Sequence, residues 1–149
     1  MNGQLPDSAL SKIPGGRLAR GGPARSWLAM RTFIGRKHGV WIEPTGPYAS
    51  YRTLATQKRF YANYLSGTGP LAAVPGSSNH GIGLAVDIPT PEMQRRVRDV
   101  GHLFGFGIMG GQIASDAKNE AWHVVYRGPY TRLARLWYAR HLLSAKANR

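Results

Sequence analysis

Two short segments of the chain combine histidine and carboxylate residues, the side chains that bind metal ions and transfer protons. In the first, His80 lies in a glycine-rich stretch and Asp87 follows the small apolar run at 84–86. In the second, Glu120 stands three residues before His123, which leads into an apolar and aromatic segment. The chain has 7 Asp and Glu against 20 Lys and Arg. Because acids are scarce, those placed among apolar residues indicate a specific role.

The residues around these groups predict strands. Alternate side chains of a strand share a face, so in a strand over 83–88 Asp87 shares its face with Gly83 and Ala85. Such small neighbours leave room beside the carboxylate. The β-branched and aromatic residues 122–126 predict a second strand, with Glu120 in the preceding turn, folded back toward His123.

His80, Asp87 and His123 form a set of two histidines and one carboxylate, which suits catalytic Zn²⁺ with one position open for water. Glu120 would then be the base beside that water. The chain contains no Cys, so any metal must be held by histidine and carboxylate. Taken singly, each of the three residues is more simply a hydrogen-bonded loop, turn or core residue. Only a known pattern that contains all three together would outweigh these separate interpretations.

The two segments resemble the signature of the M15 zinc peptidases, Ser-x-His-x-x-Gly-x-Ala-x-Asp followed by Glu-x-Trp-His. This family includes D-alanyl-D-alanine carboxypeptidases and dipeptidases and phage L-alanyl-D-glutamate endopeptidases, and it is related in structure to the hedgehog signalling domain. The resemblance covers about residues 48–126. It implies one zinc per chain on His80, Asp87 and His123, with Glu120 as the catalytic base.

The resemblance also implies roles for residues outside the metal set. The stretch Ser50-Tyr51-Arg52-Thr53 matches the context of an arginine that polarises the scissile carbonyl or holds a substrate carboxylate. Ser78 corresponds to a position that often contacts substrate. Gln57 also stands at a familiar position, five residues after Arg52, but the resemblance gives it no role.

Three other features carry simpler interpretations. Asp116 fits a turn, and His102 fits the core or the surface. The run at 105–110 formally matches GxGxxG, but it follows an apparent helix instead of a strand, which argues against a dinucleotide site.

Hydrophobic spacing and cap residues predict the supporting elements. Helices are expected over 23–38, over 53–65, from Pro91 (with Thr90 as N-cap) to about Phe104, and, as a basic terminal helix, over 129–145. Strands are expected at 40–42, 83–88 and 122–126, and residues 1–22 are expected to be irregular. Helices and strands mix without a steady βαβ alternation. The prediction is a single α+β domain over 1–149, with a small, mostly antiparallel sheet flanked by helices, as in the hedgehog and DD-peptidase fold.

The formal net charge of +13 fits several partners. Nucleic acid, a membrane surface and an anionic bacterial envelope all attract such a chain, and a solvated basic face needs no partner. The resemblance favours the envelope, and we expect no nucleic-acid partner. No apolar run approaches the ~20 residues of a membrane span, and the first residues do not have the pattern of a signal peptide. We therefore expect a monomer made in a host cytoplasm that acts at the bacterial cell wall.

The expected function is zinc-dependent hydrolysis of peptidoglycan stem peptides. An endolysin of a phage must break a cross-linked mesh, which removal of a terminal D-Ala does not do, so we expect cleavage between L-Ala and D-Glu. The alternatives are a D-alanyl-D-alanine carboxypeptidase, a non-catalytic zinc module that binds the wall, and a basic nucleic-acid-binding domain.

Overall fold

The computed structural model of the protein describes residues 1–107 and 121–128. This part of the chain contains three α-helices: α1 (Gly22–His38), α2 (Leu54–Leu65) and α3 (Pro91–Val100). It contains five strands: β1 (Leu10–Ile13), β2 (Gly16–Ala19), β3 (Ala85–Asp87), β4 (Phe106–Gly107) and β5 (His123–Tyr126). Short 3-10 turns cover Asp7–Ala9, Asn79–Ile82 and Gly101–Phe104. The α+β prediction is confirmed.

The third helix begins at the predicted Pro91, whereas α1 and α2 begin one residue away from the predicted starts, at Gly22 and Leu54. Thr53 caps α2, since its hydroxyl accepts the Thr56 amide, and Thr90 caps α3 by accepting the Met93 amide. These contacts satisfy amides that have no partner within the helix. The third helix was predicted to reach about Phe104. It ends at Val100, and the chain continues in the tighter 3-10 turn.

The prediction of an irregular segment over 1–22 is wrong. β1 and β2 pair as an antiparallel hairpin in which Ile13 faces Gly16. The two residues between them are Pro14 and Gly15, and Gly15 has a φ of +80°. Proline followed by a glycine with positive φ is the pattern of a type II turn. The density of turn residues therefore marked a hairpin between two short strands, not a segment without strands.

The predicted strand at 40–42 is also absent. Ile42 is fully buried, but its carbonyl accepts a hydrogen bond from the Arg31 side chain at 3.1 Å and no strand pairs with it. The apolar run reflects burial against α1. A short apolar run does not distinguish that environment from a sheet.

The second sheet carries the candidate chemistry. Its strands have the order β3-β5-β4, and all neighbours are antiparallel. The register of β3 and β5 pairs Asp87 directly with His123. Cross-strand partners present their side chains on the same face, about 4.5–5.5 Å apart at Cβ. This register brings the two predicted motifs together.

The opposite face of this sheet forms the core. Val86 and Val124 are buried there with Trp27 and Met30 of α1. The Trp27 ring meets the Phe106 ring edge-on, with centroids 5.5 Å apart. One face of the sheet is thus fixed to α1, and the other is free to carry a site.

Some predictions lie outside the described residues: the terminal helix at 129–145, the candidate base Glu120, and Asp116. Among the described helices, none is long and apolar enough to cross a membrane.

Gly83, which ends the turn that carries His80, gives a test of this architecture. Gly39 and Gly83 both have a φ of +70°, and a Cβ on Gly39 would meet nothing within 4 Å, whereas on Gly83 it would lie 2.6 Å from the Ala19 amide nitrogen. We expect Gly39→Ala to lower the free energy of unfolding by about 1–2 kcal/mol, the cost of a left-handed residue. Gly83→Ala should lower it by about twice that amount or more, since backbone must also move. Urea denaturation of the two variants measures the difference, and equal losses would contradict the packing of this turn on β2.

Candidate metal centre and active site

Three side chains converge on the free face of the second sheet. His80 Nε2 lies 3.3 Å from Asp87 Oδ2, and His123 Nδ1 lies 2.8 Å from Asp87 Oδ1. Ligand atoms from all three residues lie within 4.8 Å of one another. The structure thus brings together the three residues that the sequence proposed as metal ligands. Two imidazoles and a carboxylate are a donor set that suits zinc.

The hydrogen bonds of His80 indicate that a cation belongs between these groups. Its Nδ1 lies 2.8 Å from the Ser50 carbonyl oxygen, which can only accept, so Nδ1 donates. The Nε2 lone pair of a neutral ring then faces the Asp87 carboxylate. Two acceptors at that distance repel each other unless a proton or a metal ion lies between them. The residues present therefore fit a bound metal.

Backbone contacts on both sides fix Asp87. One edge of β3 pairs with β5, and on the other edge the Thr45 amide donates to the Asp87 carbonyl at 2.9 Å while the Asp87 amide donates to the Ala49 carbonyl at 2.8 Å. Burial alone would raise the pKa of the Asp87 carboxyl, but with a proton in the place of the metal ion, hydrogen bonds from His123 and His80 outweigh burial and hold this pKa well below its ordinary range. The carboxylate is therefore ionised at neutral pH and ready to bind a cation.

Arg52 lies beside the three ligand candidates. Its Nη2 is 3.6 Å from Asp87 Oδ2, its Nε donates to the Tyr48 carbonyl at 3.0 Å, and its guanidinium carbon lies 4.7 Å from the centre of the Phe60 ring. Burial lowers the pKa of Arg52 and the Asp87 charge opposes that shift. The guanidinium remains protonated at neutral pH. It places a fixed positive charge at the edge of the metal centre.

The segment 50–52 positions both Arg52 and His80. The Arg52 amide donates to the His80 carbonyl at 3.1 Å, and the Tyr51 amide donates to the Arg17 carbonyl at 2.8 Å. The carbonyl of Ser50, a fully buried residue, holds the His80 ring. The sequence did not indicate this role of Ser50, because every residue type has a backbone carbonyl.

Gln57 and Asn2 form a second support that the sequence did not reveal. The Gln57 side chain donates to Asn2 Oδ1 and accepts from the Gly76 amide, and Asn2 Nδ2 donates to the Ser78 carbonyl at 2.8 Å. The Gly3 amide adds a bond of 2.6 Å to the Gly81 carbonyl. A Cβ on Gly81 would overlap the Asn2 and Gln57 side chains. Residues 2 and 3 therefore clamp the turn that carries His80.

The metal centre opens into a cavity of about 670 Å³. Ser78 lines this cavity, and its buried hydroxyl also accepts the His80 amide at 3.2 Å. Arg52, Trp122 and Arg127 line it as well. His102 is exposed and is not among the lining residues. The structure thus places Ser78 on the wall of this cavity and His102 apart from it.

This fold and this site define a metal-dependent hydrolase whose cavity can admit a peptide. A family model described as VanY, D-alanyl-D-alanine carboxypeptidase, matches residues 35–129. The chain belongs to this family, which confirms the prediction of an M15 zinc peptidase that acts on peptidoglycan peptides. The match includes both motifs and Arg52. No curated protein matches the chain in sequence.

Solved structures share the fold. The vancomycin resistance D,D-pentapeptidase VanY from a VanB-type cassette, solved with Zn(II), has a TM-score of 0.58 and 24% identity, over 91% of this chain and 88% of that chain. The LD-carboxypeptidase LdcB has a TM-score of 0.58 and 22% identity, over 88% and 68%. The D,D-dipeptidase VanXYg has a TM-score of 0.60 and 19% identity, over 87% and 57%.

The convergence of His80, Asp87 and His123 predicts about one zinc per chain and loss of activity in chelator. His123→Ala should lose most of the metal and lower the melting temperature, because bound zinc stabilises the folded state. His102→Ala, at an exposed histidine apart from the site, is the matched control and should keep the metal. Elemental analysis of the purified proteins measures the difference, and a metal-free parent would contradict the assignment.

The clamp on the His80 turn gives a second test. Asn2→Ala removes two side-chain hydrogen bonds and should weaken zinc binding several-fold, short of the roughly 10–100-fold loss typical when a direct partner of a ligand is removed. Gln4→Ala, at an exposed neighbour, serves as the control. Competition with a chromophoric chelator measures both affinities. If Asn2→Ala binds zinc as tightly as Gln4→Ala, the clamp does not position the ligand.

Proposed function

We propose that this protein is an endopeptidase that cuts peptidoglycan stem peptides between L-Ala and D-Glu, as endolysins of phages do. The observation that supports the proposal is that two hollows reach the metal centre, where they share Asp87 and Arg52. The cavity beside His80 and His123 meets a second hollow of about 440 Å³, and Arg52, Phe60, Asp87 and Trp122 line both. An endopeptidase must hold substrate on both sides of the scissile bond.

In the proposed reaction, His80, Asp87 and His123 hold the metal. Zinc, when bound, supplies a Lewis acid that lowers the pKa of the attacking water and polarises the scissile carbonyl. Glu120 takes a proton from the water, whose oxygen bonds to the carbonyl carbon. The same proton then passes to the leaving amine as the C–N bond breaks.

Arg52 is proposed to stabilise the charge on the carbonyl oxygen as the water adds. Its guanidinium is held by the Tyr48 carbonyl and by the Phe60 ring, so little reorganisation is needed when the charge develops. Ser78, on the cavity wall, is proposed to contact the substrate backbone. The net charge of +13 suits approach to the anionic wall where the substrate lies.

The alternative is removal of a terminal D-Ala. It is favoured by the family model, which is described by that activity. Removal of a terminal D-Ala requires room for only one residue beyond the scissile bond. The first cavity, at about 670 Å³, offers more room than this reaction needs. The chemistry of the metal centre is the same for both reactions, so the products must distinguish them.

Mass spectrometry of purified muropeptides provides this test. We expect two new products, a fragment that ends in L-Ala and a free peptide that begins with D-Glu. Glu120→Ala should form these products about 10²–10⁴ times more slowly, the usual contribution of a positioned base, and should keep its zinc because no ligand is lost. Release of D-Ala as the sole product would establish the alternative. A Glu120→Ala variant that lacks zinc would show that Glu120 is a ligand instead of the base.

A further inference from the structure

The two hollows that meet at the metal centre differ in chemistry, and this difference gives the substrate a direction. The second hollow is formed by the loop 45–49 together with Pro89, Gln94 and Trp122. Its wall carries two half-exposed aromatic side chains: Tyr48 at 43%, which lines this hollow alone, and Trp122 at 44%, which also lines the first cavity. Aromatic side chains that line a hollow and stay half-exposed offer apolar surface to a ligand.

The positive charge is distributed unequally between the two hollows. Among the described residues, the first cavity is lined by Arg52 and Arg127, whereas the second has Arg52 alone, which the two hollows share. Hydroxyl side chains of Thr68, Ser77 and Ser78 add further polar groups to the first cavity. The first cavity therefore suits an anionic ligand segment, and the second suits a neutral segment with an apolar face.

The proposed substrate has the same asymmetry about its scissile bond. On the carboxyl side of the L-Ala–D-Glu bond, D-Glu and the residues after it carry free carboxylates. On the amino side, L-Ala is joined through an amide to the lactyl group of N-acetylmuramic acid, and this amide consumes the only carboxyl group of the sugar. The amino side is thus a neutral, ring-bearing segment.

On this basis, and resting on the proposed function, we propose that the hollow walled by Tyr48 and Trp122 binds the N-acetylmuramic acid ring. The D-Glu end of the stem peptide then lies in the cavity beside Arg127. An aromatic ring offers a flat apolar face with a polar edge, which suits the C–H face and the acetamide of the sugar. The enzyme would thereby recognise the glycan attachment point as well as the peptide.

The Tyr48 ring is already held in place for this role. It meets the Phe60 ring edge-on with centroids 5.8 Å apart, and the Arg59 guanidinium lies 5.1 Å from its centre. A side chain that is fixed before the ligand arrives loses less conformational entropy on binding. The backbone carbonyl of Tyr48 separately holds Arg52, so substitution of the side chain leaves that contact available.

Two synthetic substrates test the proposal. One carries N-acetylmuramic acid on L-Ala-D-Glu-L-Lys-D-Ala, and the other carries an acetyl group on the same peptide. We expect kcat/KM of the parent to be about three- to tenfold higher for the sugar-bearing substrate, the range that one aromatic contact supplies. Tyr48→Ala should bring this ratio toward one, and Tyr48→Phe should restore it.

Control variants separate the sugar contact from other effects. Tyr64→Ala removes another half-exposed tyrosine that lines neither hollow, and it should keep the ratio of the parent. Arg127→Ala should raise KM for both substrates alike, because both carry the same D-Glu end. Zinc content, measured for every variant, shows that the metal centre is intact.

The outcomes distinguish this proposal from the function on which it rests. Cleavage at L-Ala–D-Glu with equal kcat/KM for both substrates overturns the sugar site and leaves the endopeptidase in place. A sugar preference that is lost in Arg127→Ala and kept in Tyr48→Ala means that the substrate lies in the opposite direction, which also overturns the proposal. D-Ala as the sole product overturns the proposed function itself.

Discussion

The pairing of β3 with β5 is the constraint on which the rest of this molecule depends. In the observed register Asp87 stands opposite His123, and Val86 and Val124 face the core on the other side. A shift of one residue in either strand would turn its metal-site residue into the core and a core valine toward water. The apolar face therefore determines the geometry of the polar one. The loop 45–49 closes the free edge of β3 through both backbone groups of Asp87, so the backbone that carries the carboxylate is held from both edges.

Backbone carbonyls carry out most of the positioning around this pair. The Ser50 carbonyl fixes the His80 tautomer, the His80 carbonyl anchors the Arg52 amide, and the Tyr48 carbonyl holds the Arg52 side chain. Outer partners of this kind orient ligands and set which ring nitrogen faces the metal. Such a centre tolerates variation of side chains around it as long as the chain follows the same path. This is consistent with solved structures that share the fold at 24% identity or less.

The family's ligand set does not by itself choose the bond that is cut. Polarisation of a carbonyl and transfer of a proton serve any peptide bond, and specificity comes from what the surrounding walls admit. Here the walls form two hollows that meet at Arg52, Phe60, Asp87 and Trp122. The aromatic hollow and the cationic cavity provide the difference between the two sides of a substrate. The same Phe60 ring contacts both Arg52 and Tyr48, which links the guanidinium beside the metal centre to the aromatic wall.

The sequence by itself determined the chemistry, because the residue types and spacing of the two motifs are those of the donor set. It also determined the start of α3, which the cap residue Thr90 marks. It also gave the small face around Asp87. Only the tertiary structure decided how these parts meet. The hairpin at 10–19 was missed because the turn residues in this segment suggested irregular structure. The run at 40–42 was wrongly predicted as a strand because short apolar runs look alike in sheets and beside helices. The roles of Asn2, Gln57 and Ser50 depend on hydrogen bonds between groups far apart in the chain, in which a backbone group of Ser78, Gly76 or Ser50 itself takes part. Every residue has a backbone carbonyl, and every residue except proline has a backbone amide, so a sequence pattern does not predict which of these groups accepts or donates such a bond.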